Sequence, residues 1–265
     1  MNAREMFELT GKVALVTGGS RGLGLQMAHG LGEMGAKVAI TARSEDELAA
    51  ASSELETAGT TVVAIPHDLS ELERIGPLVD RVVDELGDVD ILVNNASVAI
   101  TAPAEDHAHG DWNRVMDLNL NALFLLTRGV GRRCMIPRRR GKVINISSVG
   151  ALGGPALDTF MASYCASKGA VISLTRALAT EWGRYNINVN AIAPGYFPSK
   201  MTAGALPSGH HDRVISKSPL GRVCGEHDLK GVAVFFASEA SRHLTGQYVV
   251  LDGGASTTLY PTVSN

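Results

Sequence analysis

The sequence predicts a doubly wound α/β domain, a parallel sheet with helices on both faces, and three observations carry that prediction. Apolar, β-branched runs alternate along the chain with helical patterns. Most of those runs are apolar along their whole length, as strands buried on both faces are. A glycine-rich turn, Thr17-Gly18-Gly19-Ser20-Arg21-Gly22-Leu23-Gly24, joins the first run to the first helical pattern.

Taken in order, KVALVTGG predicts the first strand and Leu23 to Met34 the first helix. AKVAITA is a second strand followed by a helix from Glu45, which Ser44-x-x-Glu47 starts as a capping box. TTVVAIP and then Leu72 to Leu86 repeat the unit, as do VDILVNN and a long pattern from Trp112 to Met135. Strands at Lys142–Ile146 and Asn188–Ile192 enclose a helix over Ser163–Trp182. A last helix over Leu229–Ala237 leads into QYVVLDGG. The carboxyl ends of such strands, where their order reverses, form the ligand crevice.

With 265 residues, 45% of them hydrophobic, the chain is long enough for one large core, and no linker or repeat divides it, so residues 1–265 are expected to be one domain. A formal charge of −3 gives no electrostatic reason to expect nucleic acid. No apolar run approaches the roughly 18 residues of a membrane span, and MNAREMFELT lacks the plan of a secretory signal, so a soluble cytoplasmic protein is expected. Cys134, Cys165 and Cys224 have no metal-like spacing and read as free thiols in a reducing compartment. His107 with His109, and His210 with His211, read as loop residues, and no metal site is expected.

The glycine turn has a chemical reading. Without side chains, backbone N–H groups can approach a pyrophosphate, and the next helix points its positive end at the anion. An acidic residue at the end of the second strand would bind the adenosine ribose hydroxyls, but Ala42 stands there. Arg43 and Arg21 remain to hold a 2′-phosphate, which predicts NADP(H).

Tyr164 and Lys168, in YCASK, lie one helical turn apart on one face. A cation beside a phenol favours its ionised form; for work near neutrality the tyrosine pKa must fall by roughly 3 units, or about 4 kcal/mol.

With TGGSRGLG, Asn94-Asn95-Ala96, Asn119, Ser148, YCASK and Pro194-Gly195 in order from about Lys12 to Gly254, the chain resembles a short-chain dehydrogenase/reductase, a Rossmann-like fold. INVNAIAPGYFPSKMT and LTGQYVVLDGG are closest in flavour to the 3-oxoacyl thioester reductases. The resemblance implies that Tyr164 protonates the carbonyl oxygen and that Lys168 binds the nicotinamide ribose and lowers the tyrosine pKa. It implies that Ser148, rather than its neighbour Ser147, orients the substrate, and that Asn119 holds a water of a proton relay. Gly18, Ser20, Arg21, Gly22, Leu23 and Gly24 would hold the pyrophosphate side of the cofactor, Arg43 its phosphate, Asp68 and Leu69 the adenine, Asn95 and Ala96 a ribose, and Pro194, Gly195 and Phe197 the nicotinamide. Ser97 departs from the family's NNAG, and the segment from Ser148 to Tyr164 is longer than the family pattern.

The expected activity is therefore NADP(H)-linked interconversion of a ketone and a secondary alcohol, with a substrate lid over 197–222. A 3-oxoacyl thioester is the first expectation for the substrate, because Arg138, Arg139 and Arg140 could receive an acyl carrier or a CoA phosphate; a sugar, polyol or cyclic ketone is the alternative. A nucleotide-sensing protein without turnover is a third reading, against which the complete Ser/Tyr/Lys/Asn set argues. By analogy with the family a homotetramer is expected, with contacts through Trp112–Met135, Ser163–Trp182 and the final strand.

Overall fold

The computed structural model describes residues 1–153, 159–198 and 210–257. Seven strands form one wholly parallel sheet in the order β3-β2-β1-β4-β5-β6-β7. They are β1 (Val13–Thr17), β2 (Lys37–Ala42), β3 (Val62–Pro66), β4 (Ile91–Asn94), β5 (Gly141–Ile146), β6 (Ile187–Pro194) and β7 (Tyr248–Leu251). The order reverses between β1 and β4, so the crevice opens there, above their carboxyl ends. Strands β1, β4 and β5 are buried at every residue, which is why their sequences show no alternation.

Helices α1 (Gly22–Glu33) and α2 (Glu45–Thr57) cover one face, and α3 (Ile75–Leu86) covers the other. The sheet thus has two cores. Met27, Leu31, Leu48 and Leu55 pack on one side of it, and Leu78, Val82, Leu126 and Trp182 on the other. Each such aliphatic side chain contributes about 1.5–3 kcal/mol by leaving water.

The segment expected as one helix over Trp112–Met135 begins earlier and is not uniform. It runs as α4 (His109–Met116), a π turn (Asp117–Ala122), α5 (Leu123–Val130), a second π turn (Gly131–Met135) and the short α6 (Ile136–Arg138). Each π turn widens the helix and rotates the residues beyond it, which apolar periodicity alone does not signal. Later in the chain lie α7 (Ala162–Trp182), α8 (His210–Lys217) and α9 (Asp228–Ala237). His210 and His211 therefore open a helix instead of lying in a loop. Of the expected lid, residues 199–209 lie outside the described residues. Among the described residues, no helix is long and apolar enough to cross a membrane.

The arginine run lies at the opposite edge from the crevice. Arg138 donates to Asp90 Oδ1 at 3.0 Å and to the carbonyls of Val89 and Cys134, and it pairs with Asp88. Arg139 donates to the Arg184 carbonyl, and Arg140 sits 3.5 Å from the same Asp90 oxygen. The run ends where β5 begins, and six residues of strand separate it by about 20 Å from the carboxyl edge. These arginines tie the amino ends of the strands to neighbouring carboxylates and carbonyls. The structure thus places the run away from the crevice and gives each of its arginines a partner within this chain.

Candidate active site

Strand β1 ends at Thr17, whose hydroxyl organises the turn above it. Its Oγ1 accepts from the backbone N–H groups of Asn95 and Ala96 at 2.9 and 3.0 Å, and contacts the Val93 carbonyl. Asn95 returns its amide to the Thr17 and Gly18 carbonyls. The backbone N–H groups of Asn95 and Ala96 and the Asn95 side chain thus clamp the glycine turn to β4. Sequence reasoning does not assign Thr17 this part; its only signal is its place at the head of the glycine motif.

Gly24 packs so closely that a Cβ there would run into the Gly18 carbonyl oxygen, whereas a Cβ on Gly22 would meet nothing within 4 Å. The turn therefore has a tightly packed inner side and an open outer side at the start of α1, as a backbone cradle for phosphate requires. Leu23 packs against the core beneath α1, so only its backbone is available to the turn's outer side. Ser20 and Arg21 both reach Glu47, with Arg21 Nη1 3.3 Å from its carboxylate. Ser44 caps α2 by accepting from the Glu47 N–H, which is the part of the capping box the sequence predicts.

At the end of β3, burial pushes the Asp68 carboxyl up, but two bonds from Ser70 and the Arg43 charge outweigh it and hold its pKa below the usual range. Leu69 is buried in the core beside it. At the far side of the crevice, Pro194 ends β6, Gly195 N–H bonds the Leu251 carbonyl, and Phe197 is buried.

The reactive groups meet above β5. Ser147 and Ser148 come directly after the strand and diverge, as successive extended residues do. Ser147 is buried, and its hydroxyl donates to the Lys168 carbonyl at 2.9 Å. Ser148 caps a short 3-10 turn by accepting from the Gly150 N–H, and its hydroxyl lies near enough to that of Tyr164 to lower the pKa of the phenol. The structure thus brings Ser148, Tyr164 and Lys168 together and gives Ser147 to the backbone.

Lys168 is 2% exposed and donates to the Ile146 carbonyl at 2.8 Å, its Nζ lying 5.6 Å from the centre of the Tyr164 ring. Burial lowers its pKa to about 7. Tyr164 does not show the depressed pKa expected from the lysine. Burial pushes the phenol up, and Ser148 only partly offsets that. The reason is desolvation, since taking the phenol out of water disfavours its charged form.

Asn119 stands in the first π turn, and both its amide hydrogens are spent on the Val98 carbonyl and Ser167 Oγ. Ser167 in turn donates to the Tyr164 carbonyl at 2.7 Å. Asn119 therefore braces the first turn of α7 against the loop after β4. His107 Nε2 contacts Ser163 Oγ at 2.7 Å, directly before Tyr164 in the chain. Neither Ser163 nor Ser167 stands out in the sequence, because a serine on a helix has no distinguishing spacing.

Comparison with known proteins agrees with this geometry. A family model described as short chain dehydrogenase matches residues 12–208. The chain is 38% identical over 261 residues to gluconate 5-dehydrogenase of Gluconobacter oxydans (strain 621H), covering 98% of this chain and 100% of that protein. It is 37% identical over 251 residues to 5-keto-D-gluconate 5-reductase of Escherichia coli (strain K12), covering 94% and 97%. The crystal structure of a gluconate 5-dehydrogenase from Burkholderia cenocepacia J2315 in complex with NADP and tartrate superimposes with a TM-score of 0.90 at 35% identity, covering 97% of this chain and 100% of that one. Fold, motif order and similarity over nearly the whole length lead to one conclusion: the chain belongs to the short-chain dehydrogenase family.

Proposed function

We propose that this protein interconverts a ketone and a secondary alcohol on a sugar acid or polyol, with NADP(H) as its redox partner. The observation that carries the reading is the nearness of Tyr164 to Ser148 beside the buried Lys168, at the crevice of a chain similar over its whole length to gluconate oxidoreductases. The thioester reading loses its support, since the relatives are named for sugar acids and the arginine run is engaged at the amino edge.

When bound, NADPH supplies the hydride. The chain's own residues supply the rest. Tyr164 gives its proton to the carbonyl oxygen and in reverse, as the phenolate, accepts the proton of the alcohol; burial raises its pKa, which holds the proton on the phenol before the reduction. Ser148 hydrogen-bonds the same oxygen and orients the carbonyl. Lys168, with a pKa of about 7, exchanges a proton readily near neutrality and so can restore that of the tyrosine. Asn119 and Ser167 hold the turn that carries Tyr164. The turn Gly18–Gly24 would take the pyrophosphate; Ser20, Arg21 and Arg43 the 2′-phosphate; Asp68 and Leu69 the adenine side; Asn95 and Ala96 the adjoining ribose edge; and Pro194, Gly195 and Phe197 the nicotinamide end.

The test is NADPH oxidation with 5-keto-D-gluconate, an uncharged ketohexose and acetoacetyl thioester. The sugar acid or the ketohexose is expected to exceed the thioester in kcat/KM by at least about tenfold, since a site built to hydrogen-bond hydroxyls is left with unpaired groups by a substrate lacking them. A thioester used best would overturn the reading.

A further inference from the structure

Of the two arginines assigned to the 2′-phosphate, Arg21 is paired with a carboxylate of this chain. Arg43 lies within the field of Asp68, whose carboxylate also takes two bonds from Ser70. Arg21 is paired with Glu47 at 3.3 Å, and the other Glu47 oxygen accepts from Ser20 Oγ at 3.4 Å. Glu47 is the third residue of α2, and its backbone is held by Ser44 at the helix start. The carboxylate therefore leans out of the helix across the glycine turn, onto two of the side chains the NADP(H) reading gives to the phosphate. The pair is partly solvated, with Arg21 53% and Glu47 31% exposed, so it is weak enough to be exchanged.

Resting on that reading of the cofactor, we propose that Glu47 is a specificity-determining residue, a resident carboxylate that holds Arg21 and Ser20 and must release them before a 2′-phosphate can use them. Both anions seek the same guanidinium, so the phosphate must displace the carboxylate from Arg21 before it can bind there. A cofactor with a plain 2′-hydroxyl does not compete for Arg21. Glu47 thus narrows the preference for NADP(H) that the two arginines create.

The experiment measures Kd for NADPH and NADH by fluorescence titration, and for adenosine 2′,5′-bisphosphate and 5′-AMP by competition, in wild type, Glu47→Gln, Arg21→Ala and the double variant. Exposed ion pairs are worth little, so Glu47→Gln is expected to tighten NADPH and the bisphosphate by about three- to tenfold, leave NADH and 5′-AMP within about twofold, and lose its gain when Arg21 is alanine. An equal change for both cofactors, a gain that survives without Arg21, or selective weakening of NADH would overturn the proposal; the last would mean that Glu47 holds ribose hydroxyls. Glu47→Gln keeps the size of the side chain, and an unchanged melting midpoint checks that the fold is intact. Wild-type preference for NADPH with no effect of Glu47→Gln removes this proposal alone. Wild-type preference for NADH removes the cofactor reading and the proposal with it.

Discussion

The two edges of the sheet use similar residues for different ends. At the amino edge, Asp90 accepts from the Val13 N–H and from Arg138, Lys142 donates to Asn188, and Asn188 donates to the Arg242 and Leu244 carbonyls. At the carboxyl edge, the side chains of Thr17, Asn95 and Asn119 also bind backbone, but they do so to hold a glycine turn and the Tyr164 turn in place around a crevice. Charge at the first edge holds the chain together; at the second it is placed for exchange, as in Arg21 with Glu47 and in Lys168, whose pKa burial lowers to about 7. Composition does not separate the two. Topology does, because in a parallel sheet the carboxyl ends of all the strands lie at one edge.

The comparison breaks most visibly at Asp90. Asp90→Ala leaves Arg138 without its closest carboxylate and the Val13 N–H without an acceptor, so stability is expected to fall by about 2–4 kcal/mol in urea unfolding while kcat and KM stay near wild type. A loss of activity out of proportion to the loss of folded protein would mean that the two edges are coupled.

Lys142 sharpens it through pH. Burial lowers the pKa of this lysine to about 8, against about 10.4 for an unfolded chain. The unfolded state therefore binds more protons between those values, and its preference for them weakens the fold at the lower pH. Wild-type stability relative to Lys142→Met should rise by of order 1–3 kcal/mol from pH 8 to pH 10.5. A difference that does not change with pH would show that the lysine is solvated. Comparison with the variant is needed because Cys224, pushed up to about 11 by burial, acts in the opposite direction above the thiol's ordinary value.

Arg140 gives the smallest effect. Its guanidinium is 55% exposed and 3.5 Å from Asp90, so Arg140→Ala should cost no more than about 0.5 kcal/mol and should change kcat/KM equally for thioesters and free ketones. Selective damage to a thioester would return the arginine run to the substrate.

The strands and most helices were legible because burial on both faces leaves uninterrupted apolar runs and helices repeat their apolar residues with a fixed period. The π turns were not, since Trp112 to Met135 stays apolar at compatible spacings whether or not an extra residue is accommodated. At the site, the spacing of Tyr164 and Lys168 was readable because it is local. The partners of the arginines were not: Asp90 lies 48 residues from Arg138, and Glu47 26 from Arg21, so only the packed sheet brings them together. For the same reason the sequence suggested that the lysine would lower the tyrosine pKa, without showing that both groups would be buried.

The central claim, that Tyr164 moves the proton while other groups hold the cofactor, is tested most directly by single-turnover hydride transfer in Tyr164→Phe with NADPH already bound and 5-keto-D-gluconate or an accepted ketohexose added. The phenylalanine removes the hydroxyl and little volume, so the account predicts a Kd for NADPH within about threefold of wild type and hydride transfer slower by at least about a thousandfold. Hydride transfer at a near-wild-type rate would contradict it.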